Sequence, residues 1–148
     1  MQNHYLIPYV TLKGHKDPDF KALAYGESGH RGESLHRHIT RGSYLFFHTK
    51  IGSIKYITMF IIVEKIISGK MAQQDPSITC DGQEDDWLFL GNKNSSKRLR
   101  KPLPFNESLA KELSLGINFD ALRSGERSEL QIIGSSTRSH RKLLDSDV

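Results

Sequence analysis

The sequence predicts an α+β fold: a small mixed β-sheet, strongly curved or barrel-like, with short flanking helices. Three observations lead there. Runs of β-forming apolar residues are separated by turn residues, the helical stretches are short, and the two kinds of element do not alternate as regular βαβ units. At 148 residues the chain is expected to be one domain, spanning 1–148, large enough for one core.

Tyr5 to Leu12 is rich in β-formers, and Pro8, which has no N–H to donate, places this first strand at a sheet edge or a bulge. Lys13 to Arg41 is polar and interrupted by Gly26, Gly29 and Gly32, so it reads as the longest loop-like region and a natural place for a site. Residues 42–50 and 55–67 flank a turn containing Gly52 and Ser53 and read as a β-hairpin. Both alternating faces are apolar from Ile57 to Val63, so that strand is covered on two sides. Ile57, Met59, Ile61 and Val63 are expected on one face, with Phe60 and Ile62 on the other. After the acidic connection from Met71 to Asp86, Trp87 to Leu90 supplies a fourth strand. Asn106 and Glu107 offer an N-cap and an acidic first turn for a helix that puts Leu109 and Leu113 on one face. A second helical stretch is expected around Asp120 to Arg127, a strand at Leu130 to Ile133, and a last helical turn capped by Ser139 and running through Leu143 and Leu144.

The formal charge of +4 and a pI near 9.2 draw the protein toward anions only modestly. The local pattern says more. Residues 93–101 hold five Lys/Arg and no acid, whereas Asp75, Asp81, Glu84, Asp85 and Asp86 crowd the preceding segment. Segregated charge is the footprint of one basic working face. The single cysteine, Cys80, has no thiol partner for an internal disulfide or a structural zinc site, which points to a reducing compartment. Met1-Gln2-Asn3-His4 lacks the basic and apolar regions of a signal peptide, and Tyr56 to Val63 is too short to span a bilayer. The expectation is a cytoplasmic protein with no membrane partner.

Two stretches look alike. Leu88-Phe89-Leu90-Gly91 runs into Asn94-Ser95-Ser96-Lys97-Arg98-Leu99-Arg100-Lys101, and Gln131-Ile132-Ile133-Gly134 runs into Ser135-Ser136-Thr137-Arg138-Ser139-His140-Arg141-Lys142. Each reads as an apolar strand that stops at a glycine and opens into a Ser-rich, cation-dense loop. Hydroxyls and freed backbone N–H groups bond phosphate oxygens, and Lys/Arg neutralise them. Two such loops side by side would grip a polyanion, although basic Ser-rich stretches also serve as plain solvated turns.

Gly42 to His48, Tyr56 to Phe60, Phe89-Leu90-Gly91, Ser95 to Lys101 and Pro102-Leu103-Pro104 together resemble the nucleotide-modification-associated domains, grouped with the PUA-like superfamily of EVE, ASCH and YTH domains. The resemblance covers most of the chain. It implies a PUA-like pseudo-barrel that binds DNA or RNA, often with a modified or flipped base in a pocket beside the flanking loops. A clear aromatic cage of the YTH type is missing.

The expected nucleic-acid-binding residues are therefore Ser95, Ser96, Lys97, Arg98, Arg100, Lys101, Arg138, His140 and Arg141. A base pocket is expected from His15, Tyr25, Arg31, His48 and Trp87: the aromatic faces would stack on a base, and His48 would face it from the strand side opposite Phe47. No cofactor is implied. Ser96 stands where a P-loop needs glycine, and Arg98 where it needs a hydroxyl, so the stretch does not carry that motif and nucleotide hydrolysis of that type is not expected. His30, His36 and His38 crowd one region without a carboxylate pattern and read as surface histidines rather than metal ligands. Two other classes remain open: a small nuclease or base-processing enzyme using His15, His48 and Lys50, and a regulatory module whose basic face meets an acidic protein.

Overall fold

The computed structural model describes residues 3–10, 21–78, 85–113, 115, 117, 128–137, 141–144 and 147–148. Its seven strands are β1 (His4–Pro8), β2 (Ala24–Glu27), β3 (Tyr44–Ile51), β4 (Ile54–Ser68), β5 (Trp87–Gly91), β6 (Lys97–Pro104) and β7 (Arg141–Leu143). Helices α1 (Gly29–His38), α2 (Gly69–Gln74), α3 (Glu107–Glu112) and α4 (Glu129–Ser136) flank them. The fold is mixed α+β and dominated by sheet.

β4 organises the sheet because it is 15 residues long and bonded along both edges. One edge pairs with β3 in the expected antiparallel hairpin, Tyr44 opposite Ile62 through Ile51 opposite Ile54. The other edge is shared: β6 takes Tyr56 to Phe60, and β5 takes Val63 to Ser68. The strand order is β2-β5-β4-β3-β1-β7, with β6 off this path, and β1 runs parallel to β3. β2 and β7 end the path without pairing with each other, so the sheet is not closed into a barrel among the described residues.

Alternation along the strands feeds two cores. Tyr5, Ile7, Leu45, Phe47, Met59, Ile61, Val63 and Phe89 meet Leu35 and Ile39 on the α1 side, while Leu6 meets Phe105, Ala110, Ile132, Ile133 and Leu143 on the side of α3 and α4. Ile57 belongs to the second core, not the first as its spacing predicts. Phe47 pairs with Met59 but His48 pairs with Ile57, so Thr58 is an extra residue that flips every β4 side chain before it. A third cluster joins Ala24, Ile67 and Leu88 to Ala72 of α2.

Three expected elements differ. Part of the expected loop region is β2 and α1, a helix whose glycines have specific tasks. Gly29 has φ of +66° and donates its N–H to Asp86, and a Cβ on Gly32 would stand 2.6 Å from the Glu27 carbonyl oxygen. Leu130 to Ile133 is helix, not strand, because Ser128 and Gln131 close a capping box at the start of α4 and its Ile132 and Ile133 are buried. Arg141 to Leu143 pairs antiparallel with β1 instead of turning as a helix. The helical stretch around Asp120 to Arg127 and the Ser139 cap lie outside the described residues. The α3 cap does form, with Asn106 Oδ1 accepting from the Leu109 N–H. Among the described residues, no helix is long and apolar enough to cross a membrane.

Candidate nucleic-acid interface

The turn from β5 into β6 is built on Asn92. Its side-chain oxygen accepts from the N–H groups of Asn94 and Ser95, and its carbonyl accepts from Ser96 N–H. Its amide donates to Glu64 at 3.2 Å. Ser96 is expected to face phosphate, yet it is buried, and its Oγ accepts from Ile62 N–H at 2.9 Å to tie the turn to β4. Gly91 has no left-handed φ. Its role is close approach: an added Cβ would lie 2.8 Å from Ser96 Oγ and 2.9 Å from both Ile61 Cβ and the Leu23 carbonyl oxygen. Ser95 remains exposed at the tip.

The cationic run that follows is a strand. Lys97, Arg98, Arg100 and Lys101 are all exposed, and Leu99 between them is half-buried against the α3 core. Met59 pairs with Arg98 and Ile57 with Leu103, so residues 99–102 stand opposite Thr58 alone. Arg100 and Lys101 lie on this irregular stretch, where the ladder with β4 is interrupted, and both are exposed. On its inner flank, Tyr9 Oη and Thr58 Oγ1 are 2.6 Å apart. Burial raises the Tyr9 phenol above its ordinary value, against the pull of the Thr58 bond and of the Arg98 charge. At the tip of the hairpin Lys50 pairs with Lys55, a second cation that the sequence reading leaves unassigned. Burial, and secondarily Lys50, holds the Lys55 ammonium below its usual range. The signal for it was symmetry: both lysines flank the Gly52 turn at matched positions.

Among the described residues the second stretch does not repeat the first, because Gly134 lies within α4 rather than ending a strand. Arg141 is also committed elsewhere. Its guanidinium donates to the Ser136 carbonyl at 2.6 Å and to the Leu115 carbonyl, clamping the end of α4. Arg138 and His140 lie outside the described residues. β7, which carries Arg141, is separated from β4 by β3 and β1.

The expected base pocket is dispersed. Tyr25 is buried between Phe47 and Phe89, and its hydroxyl donates to Glu27, so core packing occupies the face meant for a base. His48 is fully buried on the opposite side of the sheet, edge-on to Phe105, and burial holds its imidazole at about 3, where it is neutral at physiological pH. That placement also removes it from an acid–base role at a surface site. Arg31 is exposed on α1. Trp87 is half-buried under His36, ring centroids 3.5 Å apart and nearly parallel, with its indole N–H on Glu33. His15 lies outside the described residues. His30, His36 and His38 share α1, but His36 stacks on Trp87 and His38 Nδ1 bonds the Ser34 carbonyl, and no group of three potential metal ligands occurs among the described residues.

Sequence reasoning missed a cavity of about 550 Å³ beside the Asn92 turn, lined by Lys21, Ala22, Glu64, Ile78, Leu90 and Lys93 among others. Its walls come from four separate segments, so no local motif announces it. No family model, no curated protein and no solved structure matches this chain.

Proposed function

We propose that this protein binds nucleic acid, DNA or RNA, without performing chemistry on it, and that β6 makes the contact by gripping the phosphate backbone. One observation carries the reading: Lys97, Arg98, Arg100 and Lys101 are exposed on a single bulged strand, and residues 93–101 contain no acid. Closely spaced cations on one strand neutralise neighbouring phosphates and release their counterions. Lys50 and Lys55 at the hairpin tip extend the positive field. At the level of fold, the reading includes a PUA-like curved pseudo-barrel, supported by the long β4 shared among three strands and by its bulge at Thr58.

The test is the salt dependence of oligonucleotide affinity. Replacing Arg100 and Lys101 together by alanine should weaken binding similarly across sequences and flatten the slope of log affinity against log salt by roughly one to two units, each lost contact removing about 0.7–0.9 of a released ion. Unaltered binding at low salt would overturn the reading. An acidic protein partner in place of nucleic acid would show as affinity for a polyglutamate chain equal to that for the oligonucleotide.

A further inference from the structure

The cavity beside the Asn92 turn has a mixed lining that fits one ligand chemistry. Its floor is apolar: Ala22, Ile78 and Leu90 pack onto the cluster of Ala24, Ile67, Ala72 and Leu88 and present a hydrocarbon surface. Lys21, Lys93 and Asn94 also line it and make its polar side cationic. Glu64 adds a carboxylate, of which Oε1 accepts from the Asn92 amide. At about 550 Å³ the space lies within the range that takes a small ligand. Cations alone would suit any phosphate, and an apolar floor alone any hydrocarbon. A carboxylate beside both asks for a ligand that carries N–H donors as well as a phosphate.

From this we infer that the cavity holds one unpaired nucleotide whose base carries an exocyclic amino group, the phosphate lying toward Lys93 and the amino group toward Glu64. This rests on the proposed nucleic-acid reading and specifies it. Lys93 and Lys97 belong to the same turn and strand start, so a backbone tracked by β6 passes the mouth of the cavity. The flat base meets Ala22, Ile78 and Leu90 and gives up water there. The Glu64 carboxylate accepts from the amino group of guanine, adenine or cytosine, and guanine sets its N1–H beside that group as a second donor; uracil and thymine offer one N3–H flanked by two carbonyl oxygens that repel the carboxylate. A duplex hides that edge, so the site selects single strands.

The experiment measures binding of GMP, UMP and inorganic phosphate, and of one oligonucleotide in single-stranded and duplex form. GMP should bind about tenfold more tightly than UMP, because guanine gives the Glu64 carboxylate two adjacent N–H donors and uracil gives one, flanked by carbonyl oxygens. Inorganic phosphate should bind more weakly than either. The single strand should be preferred over the duplex, and Ile78→Trp, which fills the cavity, should remove both preferences while leaving the salt slope of the oligonucleotide intact. Should Ile78→Trp not fold, the exposed pair Lys93→Ala with Asn94→Ala serves, with GMP affinity falling severalfold. GMP, UMP and phosphate binding alike, or GMP not at all, would overturn the inference even if the β6 salt slope stands. GMP selectivity with no salt slope on the oligonucleotide would instead overturn the β6 reading and leave a mononucleotide pocket.

Discussion

The imidazole of His48 meets the ring of Phe105 edge-on, with centroids 5.2 Å apart and planes at 87°, and among the described residues neither of its ring nitrogens has a hydrogen-bond partner. The bulge at Thr58 explains how it gets there. By turning the register between Phe47 and His48, it sends Phe47 into the α1 core and leaves His48 in the second layer with Ile57.

That burial sets a pH dependence. The folded protein holds His48 at about 3, chiefly by desolvation and secondarily by the Lys55 charge, whereas the unfolded chain takes up a proton near 6.5. The native state therefore has the lower pKa, and the stability it confers is complete above pH 6.5 and is lost as pH falls toward 3. The slope should be about 1.4 kcal/mol per pH unit within that window. Denaturant unfolding of the wild type and His48→Leu from pH 4 to 8 reads it directly. The leucine variant should match or exceed the wild type at pH 7, since it removes an unpaired polar group, and should lose less on acidification. Parallel curves for the two proteins would refute the assignment.

Trp87 is the only tryptophan in the chain, and His36 lies flat against it. Intrinsic emission therefore reports the docking of α1 on β5. An imidazole stacked on an indole quenches it, so His36→Ala should brighten the emission and lower stability by about 1 kcal/mol, the worth of an aromatic pair. Emission that does not change would mean that the two rings are apart in solution.

Two glycines separate steric from conformational demand. Gly52 has φ of +64° with open space around it, so Gly52→Ala should cost only the strain of a left-handed residue, about 1–2 kcal/mol. Gly91→Ala drives a methyl group toward Ser96 Oγ, Ile61 and the Leu23 carbonyl at once. Its cost should be larger, about 3 kcal/mol or more, because the Ser96 bond to Ile62 and the β2–β5 edge must shift together. Thermal unfolding of the two variants side by side tests the order.

The parts of the fold legible in the sequence are those where a local pattern and the tertiary environment agree. The β3–β4 hairpin is two long apolar runs across a glycine turn, and Asn106 announces α3 by its own side chain. α1 was hidden because Leu35 is its only large buried side chain and its glycines mimic a loop, although Gly32 is there to let the helix touch Glu27. In α4 the adjacent isoleucines imitate a strand, and the contrary signal, Ser128 followed three residues later by Gln131, stood just upstream. The exposure of β6 followed from its composition. The fates of Tyr25 and His48 did not, because a one-residue bulge decides which way a side chain faces and no local residue pattern marks Thr58 as the extra one.

Arg100 and Arg141 offer the sharpest contrast between charge that is presented and charge that is spent. Arg100 is exposed on the β6 bulge, whereas the Arg141 guanidinium donates to the carbonyls of Ser136 and Leu115. Arg141→Ala leaves those two acceptors unmet and should lower stability by about 1–3 kcal/mol, with the salt slope of oligonucleotide binding unchanged at a temperature where the variant is folded. Arg100→Ala should do the reverse, leaving the unfolding midpoint within experimental error and reducing the slope by somewhat less than one unit. Arg100→Lys should restore the slope, because a point charge suffices for a phosphate, while Arg141→Lys should recover little stability, because an ammonium lacks the planar fork that reaches both carbonyls. If Arg141→Ala flattened the salt slope as much as Arg100→Ala, the basic surface would have to extend across β3 and β1 to β7, and the single-strand grip by β6 would be wrong.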